Sequence, residues 1–140
     1  MRKLLIGSLL LISLFSIIYG CQNTGQITQD MYYVNGRDIY IKHCQNCHGV
    51  KGEGLGALAP ALTDTIFLKQ YKQQVACFIK NGIKDTITVN GQKYEGTMPS
   101  FPELYDIDIA QVMVYITNSF GNNQGMYTIE QVASDLKKCE

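Results

Sequence analysis

The sequence predicts a small all-α domain, and three observations support that prediction. Apolar residues recur at helical spacing over residues 68–83 and again over residues 106–120, whereas alternation typical of a strand is weak and confined to residues 86–94. The 140 residues suffice for one domain. Apolar residues make up 46% and charged residues 17%, a composition typical of a packed core and not of a disordered chain.

The charge balance argues against one class of function. Lys and Arg together number 12, as do Asp and Glu, so the chain lacks the basic excess that neutralises a phosphate backbone. We therefore expect no nucleic-acid partner. The five cysteines are an odd number, and each of them needs its own explanation.

Residues 1–20 have the pattern of an export signal. Two basic residues near the start precede an apolar run over residues 4–18, somewhat shorter than the roughly 20 apolar residues of a membrane-spanning helix. Gly20 comes directly before Cys21, so the segment resembles a bacterial lipoprotein signal, in which Cys21 would become the lipidated N-terminus. The alternative is an ordinary secretory signal that leaves Cys21 as a tail thiol or a disulfide partner.

Lipidation would hold the protein at the outer face of a bacterial membrane, in the periplasm, without spanning it. Residues 22–34 are polar and poor in branched apolar side chains, so we expect a flexible tether with a reach of roughly 20 Å. The predicted organisation is a signal peptide over residues 1–20, a lipidated tether over 21–34, a folded domain over 35–121 and a C-terminal extension over 122–140.

Residues 44–48 read Cys-Gln-Asn-Cys-His, the attachment signature of c-type haem. Two thiols at this spacing reach the two vinyl groups of one porphyrin, and the adjacent histidine presents a ring nitrogen to the iron. A thioredoxin-like redox pair is an alternative, but no strand precedes the motif. A zinc site is another, and its missing ligand would come from Cys77, Cys139 or His43.

The signature makes Cys44 and Cys47 the covalent attachment points and His48 an axial iron ligand. Beyond the motif, the chain resembles the class I cytochrome c family over residues 34–121. Gly36 and Tyr40 precede the motif at four-residue intervals. In the family, a glycine and an aromatic residue at these positions pack the first helix against the last.

In this chain the last helix would supply Val112 and Tyr115 to that contact. The resemblance implies a cytochrome c-like all-α fold, with about four helices wrapped around one covalently attached haem c.

A glycine-rich loop follows the motif, with four glycines within residues 49–56. Such a segment cannot form a regular helix or strand, and without a Walker lysine it is a poor phosphate cradle. The resemblance implies that the Pro60 carbonyl accepts a hydrogen bond from His48 and that Leu62 lies on the haem face.

Elimination identifies a candidate for the second axial ligand. His43 lies immediately before the motif and cannot reach the opposite haem face, so we expect it on the surface. Met113 lies in a helical pattern and is typical of core filling. Met98 lies in an extended segment constrained by prolines, and the family places its ligand methionine in the same G-x-M-P context. The alternative is that Met98 fills a gap under its loop.

The remaining elements follow from local patterns. The helix over residues 68–83 should end near Asn81-Gly82, and a small hairpin over 86–94 should turn at Asn90-Gly91. Tyr94 either donates to a haem propionate or is exposed. A strong helix should open at Asp106, and a short one is expected over residues 128–138 with Thr128 as its N-cap.

Two cysteines remain unassigned by the motif. Cys77 and Cys139 either form a disulfide that ties the C-terminal extension to the middle helix, or stay as two free thiols.

These expectations predict an exported, membrane-anchored electron carrier and not an enzyme. Donor and acceptor proteins would dock transiently near residues 52–57 and the Met98 loop. One alternative is a haem subunit that serves as the electron entry or exit module of a larger membrane-associated oxidoreductase. A less favoured alternative is a gas sensor in which Met98 leaves the iron.

Overall fold

The structure, a computed structural model, describes residues 24–139 together with the isolated positions 7, 9, 12, 13 and 15. The predicted export signal, apart from those five positions, and its candidate lipidation site Cys21 lie outside the described residues.

Helices dominate the described part of the chain, which confirms the all-α prediction. The helices are α1 (Thr24–His43), α2 (Gln45–His48), α3 (Thr65–Gln70), α4 (Lys72–Asn81), α5 (Asp106–Thr117) and α6 (Ile129–Leu136), and one antiparallel hairpin is formed by β1 (Ile87–Val89) and β2 (Gln92–Tyr94). Among these residues we find no helix that combines the length and the apolar character needed to cross a bilayer.

Helix α1 begins at Thr24, so the prediction of a flexible coil is wrong from that residue onward. The Gln26 amide donates to the Asp30 carboxylate at 2.9 Å, a pairing one turn apart on the helix. Farther along, Tyr32 and Tyr33 pack against the hydrophobic core. The polar composition of this segment is typical of a coil, but the segment is helical because tertiary packing farther along α1 stabilises the helix.

The crossing of α1 and α5 is the largest contact between helices. Gly36 is buried, and a Cβ built there would lie 2.0 Å from the Gln111 carbonyl oxygen. The two backbones can touch only because this position has no side chain. The Tyr40 ring then packs on Tyr115 and Phe120, at centroid distances of 5.2 and 5.4 Å.

Helix α5 runs through the core, as its sequence pattern predicted. Seven of its twelve residues are buried, from Ile109 to Thr117. The Tyr105 backbone N–H donates to the Asp108 carboxylate at 2.9 Å, which satisfies a free amide at the start of the helix. The acidic side chain also lies near the positive end of the helix dipole.

The helix predicted over residues 68–83 is present as two pieces. Helix α3 starts earlier than expected because the Asp64 carboxylate accepts from the backbone N–H of Ile66 and Phe67, both at 3.0 Å. The helical path is interrupted at Tyr71, and α4 ends at Asn81 before Gly82, where the sequence predicted its end.

The hairpin and the last helix have the predicted local chemistry. Asn90 and Gly91 both have positive φ, 50° and 76°, as a two-residue hairpin turn requires. Thr128 caps α6 by accepting from the Gln131 N–H, and the Gln131 side chain accepts from the Thr128 N–H in return.

The C-terminal extension packs on the domain and is fixed to it. Helix α6 contacts α4 and α5, and the Tyr127 hydroxyl donates to the buried Asp135 carboxylate. Cys77 on α4 and Cys139 after α6 form a disulfide, with Cα atoms 5.6 Å apart. The structure therefore has the pairing that the sequence left open.

We predict opposite effects for alanine at two glycines of α1. Gly36→Ala places a methyl group against the α5 backbone and should lower the free energy of unfolding by more than ~2 kcal/mol. Gly25→Ala, in the same helix with nothing within 4 Å of its Cβ, should be neutral or stabilising by up to ~1 kcal/mol. Denaturant titration of the purified variants measures both values, and equal effects would contradict the close crossing.

Removing the disulfide should destabilise the domain. The bond closes a loop with a sequence separation of 62, for which loop entropy gives about 4 kcal/mol. Replacing both Cys77 and Cys139 by serine should lower the free energy of unfolding by up to that amount. A thiol reductant should reproduce the loss in the unmodified protein, and an unchanged denaturation midpoint in both experiments would contradict the assignment.

Candidate functional site

An apolar cavity of about 350 Å³ lies between the helices and the loops. That volume lies within the range of small-molecule and cofactor sites. Its walls come from all parts of the domain: His43, Cys44, Cys47, His48, Leu55, Leu58, Ala59, Pro60, Ala61, Leu62, Phe67, Leu68, Val75, Phe78, Ile79, Ile83, Ile87, Val89, Tyr94, Gly96, Thr97, Met98, Pro99, Phe101, Val112 and Ile116. The C-x-x-C-H residues and Met98 thus line the same cavity, although they are some 50 residues apart in sequence.

The C-x-x-C-H motif is positioned by the end of α1. The Cys44 N–H donates to the Tyr40 carbonyl at 2.9 Å, and the Tyr40 hydroxyl donates to the Gly49 carbonyl at 2.6 Å. Tyr40 therefore holds both ends of the motif while its ring is buried against α5. Cys44 is half-buried, whereas Cys47 is exposed at the rim of the cavity.

His48 has one ring nitrogen engaged and the other left for a ligand. Its Nδ1 lies 3.0 Å from the Pro60 carbonyl oxygen, the contact that the family resemblance implied. With Nδ1–H donating to that carbonyl, Nε2 carries the lone pair that a metal would use. Burial lowers the pKa of His48, which outweighs the opposing effect of the Pro60 hydrogen bond and favours the neutral, ligating ring.

The glycine-rich loop that follows the motif is tightly folded, and its Gly54 N–H donates to the His48 carbonyl at 2.8 Å. Gly54 has a φ of +75°, and a Cβ there would lie 2.6 Å from the Ala59 carbonyl oxygen, so only glycine fits without a shift. The Leu62 N–H donates to the Gly52 carbonyl at 2.8 Å, which places half-buried Leu62 in the cavity wall. Asn122, buried beyond α5, donates to the Leu62 carbonyl at 2.9 Å.

Met98 lies in a segment that is bound to the end of α4. The Ile83 N–H donates to the Met98 carbonyl at 3.0 Å, and the Met98 N–H donates to the Ile83 carbonyl at 2.9 Å. The Lys80 ammonium donates to the carbonyls of Pro102 and Leu104, at 2.9 and 2.7 Å. Hydrogen bonds from Lys80, at the end of α4, and from Ile83 just beyond it therefore fix Met98 itself and the residues that follow it.

Tyr94 and His43 are both more buried than a position on the protein surface would make them. Tyr94 is 8% exposed and lines the cavity, so the alternative that it is exposed is wrong. His43 was expected on the surface, but its side chain is only 15% exposed. It packs edge-on against the Phe101 ring at a centroid distance of 5.2 Å and also reaches the cavity wall.

The geometry disfavours the zinc hypothesis. Cys77 and Cys139 are bonded to each other, which removes two of the three proposed additional ligands. Within residues 24–139, no group of three or more His, Cys, Asp or Glu side chains is arranged to hold a metal ion.

The cavity fits a porphyrin by its chemistry. Its lining is overwhelmingly apolar, and two thiols, a histidine ring and a thioether are the potential attachment and ligand groups along its walls. The family model for cytochrome c matches residues 33–119. The chain belongs to the cytochrome c family.

Similarity to individual proteins agrees with this membership. The chain is 29% identical over 92 residues to each of two proteins of Thermus thermophilus, both called cytochrome c-552. The aligned region is 63% of this chain in both cases, and 70% and 62% of the respective relatives. Family membership means that the chain is a class I c-type cytochrome with covalently bound haem c, and that its role is electron transfer.

Several residues that shape the site had no sequence signal strong enough to single them out. Lys80 reads as an ordinary charged residue near a helix end, and its role appears only when the 102–104 carbonyls fold back onto it. Asn122 falls after the last predicted helix of the domain. Phe101 lies between Pro99 and Pro102 with no motif of its own, although it contacts His43 and lines the cavity.

Proposed function

We propose that this cytochrome is an exported, membrane-anchored carrier of single electrons, with Cys44 and Cys47 attaching the haem and His48 and Met98 as its axial ligands. The observation that carries the proposal is that all four side chains line one apolar cavity. The His48 imidazole and the Met98 thioether would both hold the iron when the haem is bound, and this pair of ligands would raise its reduction potential.

The chain's own contribution is to keep the ligand atoms in place while one electron enters and one leaves. The Pro60 carbonyl fixes the ring of His48, and the paired hydrogen bonds with Ile83 fix the backbone of Met98. Because both contacts are made by backbone groups of the chain itself, the same groups position the two ligand residues before and after electron transfer. The apolar walls exclude water, which keeps solvent reorganisation small.

Partner proteins would reach the haem through an exposed apolar edge. Leu55 and Leu58 line the cavity and are still 51% and 66% exposed, so the cavity comes to the surface at this loop. Exposed Cys47 lies on the same rim. A small apolar contact of this kind suits the brief docking of electron carriers, and the exposure of Leu55 supports the prediction that partners dock near residues 52–57.

Membrane anchoring and export rest on the sequence of residues 1–21. The cationic start, the apolar run and Gly20-Cys21 support a lipoprotein signal, and a lipidated Cys21 would hold the protein at the periplasmic face of a membrane. A role as a gas sensor is disfavoured because hydrogen bonds from Ile83 and Lys80 fix the Met98 backbone and the residues that follow it.

Met98→Ala tests the ligand assignment. The haem-loaded variant should lose the weak near-red absorption band of ferric haem with sulfur ligation, and its ferrous form should bind carbon monoxide rapidly. Met113→Leu is the matched control, because Met113 is fully buried in α5 and a substitution that conserves its volume should leave the band intact. Retention of the band in Met98→Ala would show that another group ligates the iron.

Lys80→Met tests whether the lysine positions the Met98 segment. Loss of its two carbonyl contacts should let the segment open more often, so carbon monoxide should bind the ferrous protein about tenfold faster, equivalent to about 1.4 kcal/mol. Lys93→Met, at an exposed position of β2, is the control and should bind no faster than the unmodified protein. Equal rates in the two variants would rule out the positioning role.

A further inference from the structure

Helix α1 has two apolar faces, and only one of them is used by the fold. Gly36 and Tyr40 face α5 and are buried. Ile27, Met31 and Val34 follow one another at spacings of four and three, which places them on one stripe on the opposite side of the helix. These three side chains are 57%, 60% and 49% exposed. We call them the outer stripe.

The outer stripe begins close to the predicted anchor. Three residue steps separate Cys21 from Thr24, where α1 starts, and they span at most about 11 Å. Ile27 is three residues further along the helix, about 4.5 Å. The first turns of α1 therefore cannot leave the neighbourhood of a membrane that holds Cys21, in contrast to a domain on a 13-residue coil.

We propose that the outer stripe lies on the lipid surface, so that α1 orients the cytochrome on the membrane. This inference rests on the anchoring proposed above. Exposed apolar side chains on one face of a helix bury themselves at the boundary between headgroups and acyl chains. Three side chains alone would bind weakly, but a nearby anchor makes the contact intramolecular and raises its effective concentration.

The outer stripe is too small for a stable dimer. It extends over eight residues of helix, Ile27 to Val34, about 10 Å, and is followed by the exposed pair Arg37 and Asp38, whose side chains are 3.5 Å apart. A standard protein interface buries roughly 1,200–2,000 Å², far more than three half-exposed side chains offer. The short length and the charged end favour a lipid surface over a second copy of the chain.

The test uses the full, haem-loaded, lipidated protein in vesicles of phosphatidylethanolamine and phosphatidylglycerol. In this form the haem, the lipid and the disulfide account for all five cysteines, so a single introduced cysteine can carry a fluorophore. We expect nitroxide-bearing lipids to quench a label at Met31→Cys roughly twofold. A label at Ile66→Cys, on α3 and 75% exposed, is the matched control and should be quenched little.

Flotation with the vesicles measures attachment through the lipid anchor, independently of the contact that the outer stripe makes. Protein that floats, with quenching at position 31 only, supports the proposal. Protein that floats with equal quenching at both positions overturns the stripe and leaves the anchor standing, as does unlabelled Met31→Cys protein that floats and forms crosslinked dimers through its free thiol. Protein that does not float overturns the anchor and the stripe together.

A second variant tests whether quenching depends on apolar contact between the outer stripe and the lipid, and not only on closeness to the anchor. Introducing Met31→Glu into protein labelled at Val34→Cys places a charge within the outer stripe, so quenching of that label should fall by about half while flotation and the haem spectrum remain unchanged. Unchanged quenching of the label would overturn the proposal.

Discussion

The close crossing of α1 and α5 is the contact on which the rest of the molecule depends. Gly36 allows the two backbones to touch, and Tyr40 one turn later packs its ring on α5 while its hydroxyl binds the Gly49 carbonyl. The C-x-x-C-H motif begins where α1 ends, so the crossing sets its position relative to the α5 residues of the cavity wall. A shift at the crossing would therefore move the haem attachment site itself.

The opposite wall depends on α4, which is held at both ends. Its C-terminal end binds the Met98 segment through Ile83 and Lys80, while Cys77 joins it to the C-terminal extension. Lys72, in its first turn, lies 5.0 Å above the Tyr127 ring of that extension. Because the extension packs its apolar residues on α4 and α5, it acts as part of the fold and not as an arm free for docking.

Elements that are determined by local sequence patterns could be predicted, whereas elements that depend on tertiary contacts could not. The haem-attachment motif at residues 44–48, the helical period of α5 and the Asn90-Gly91 turn can each be recognised from the local sequence, without knowledge of the residues that pack on them. The prediction was wrong at the start of α1 because the polar residues there are typical of a coil. The helix packs against the core through Tyr32 and Tyr33, and the local sequence does not show that contact. The pairing of Cys77 with Cys139 depends on the distance between their Cα atoms, which the sequence alone does not give.

The absorption spectrum of the haem-loaded protein in both oxidation states tests the proposed ligand pair most directly. We predict a low-spin haem in each state, with the weak near-red ferric band of a sulfur ligand, because His48 and Met98 line one cavity and both are held by the chain. A high-spin spectrum would mean an open iron site and would contradict a dedicated electron carrier. Failure to attach haem covalently would contradict the roles of Cys44 and Cys47.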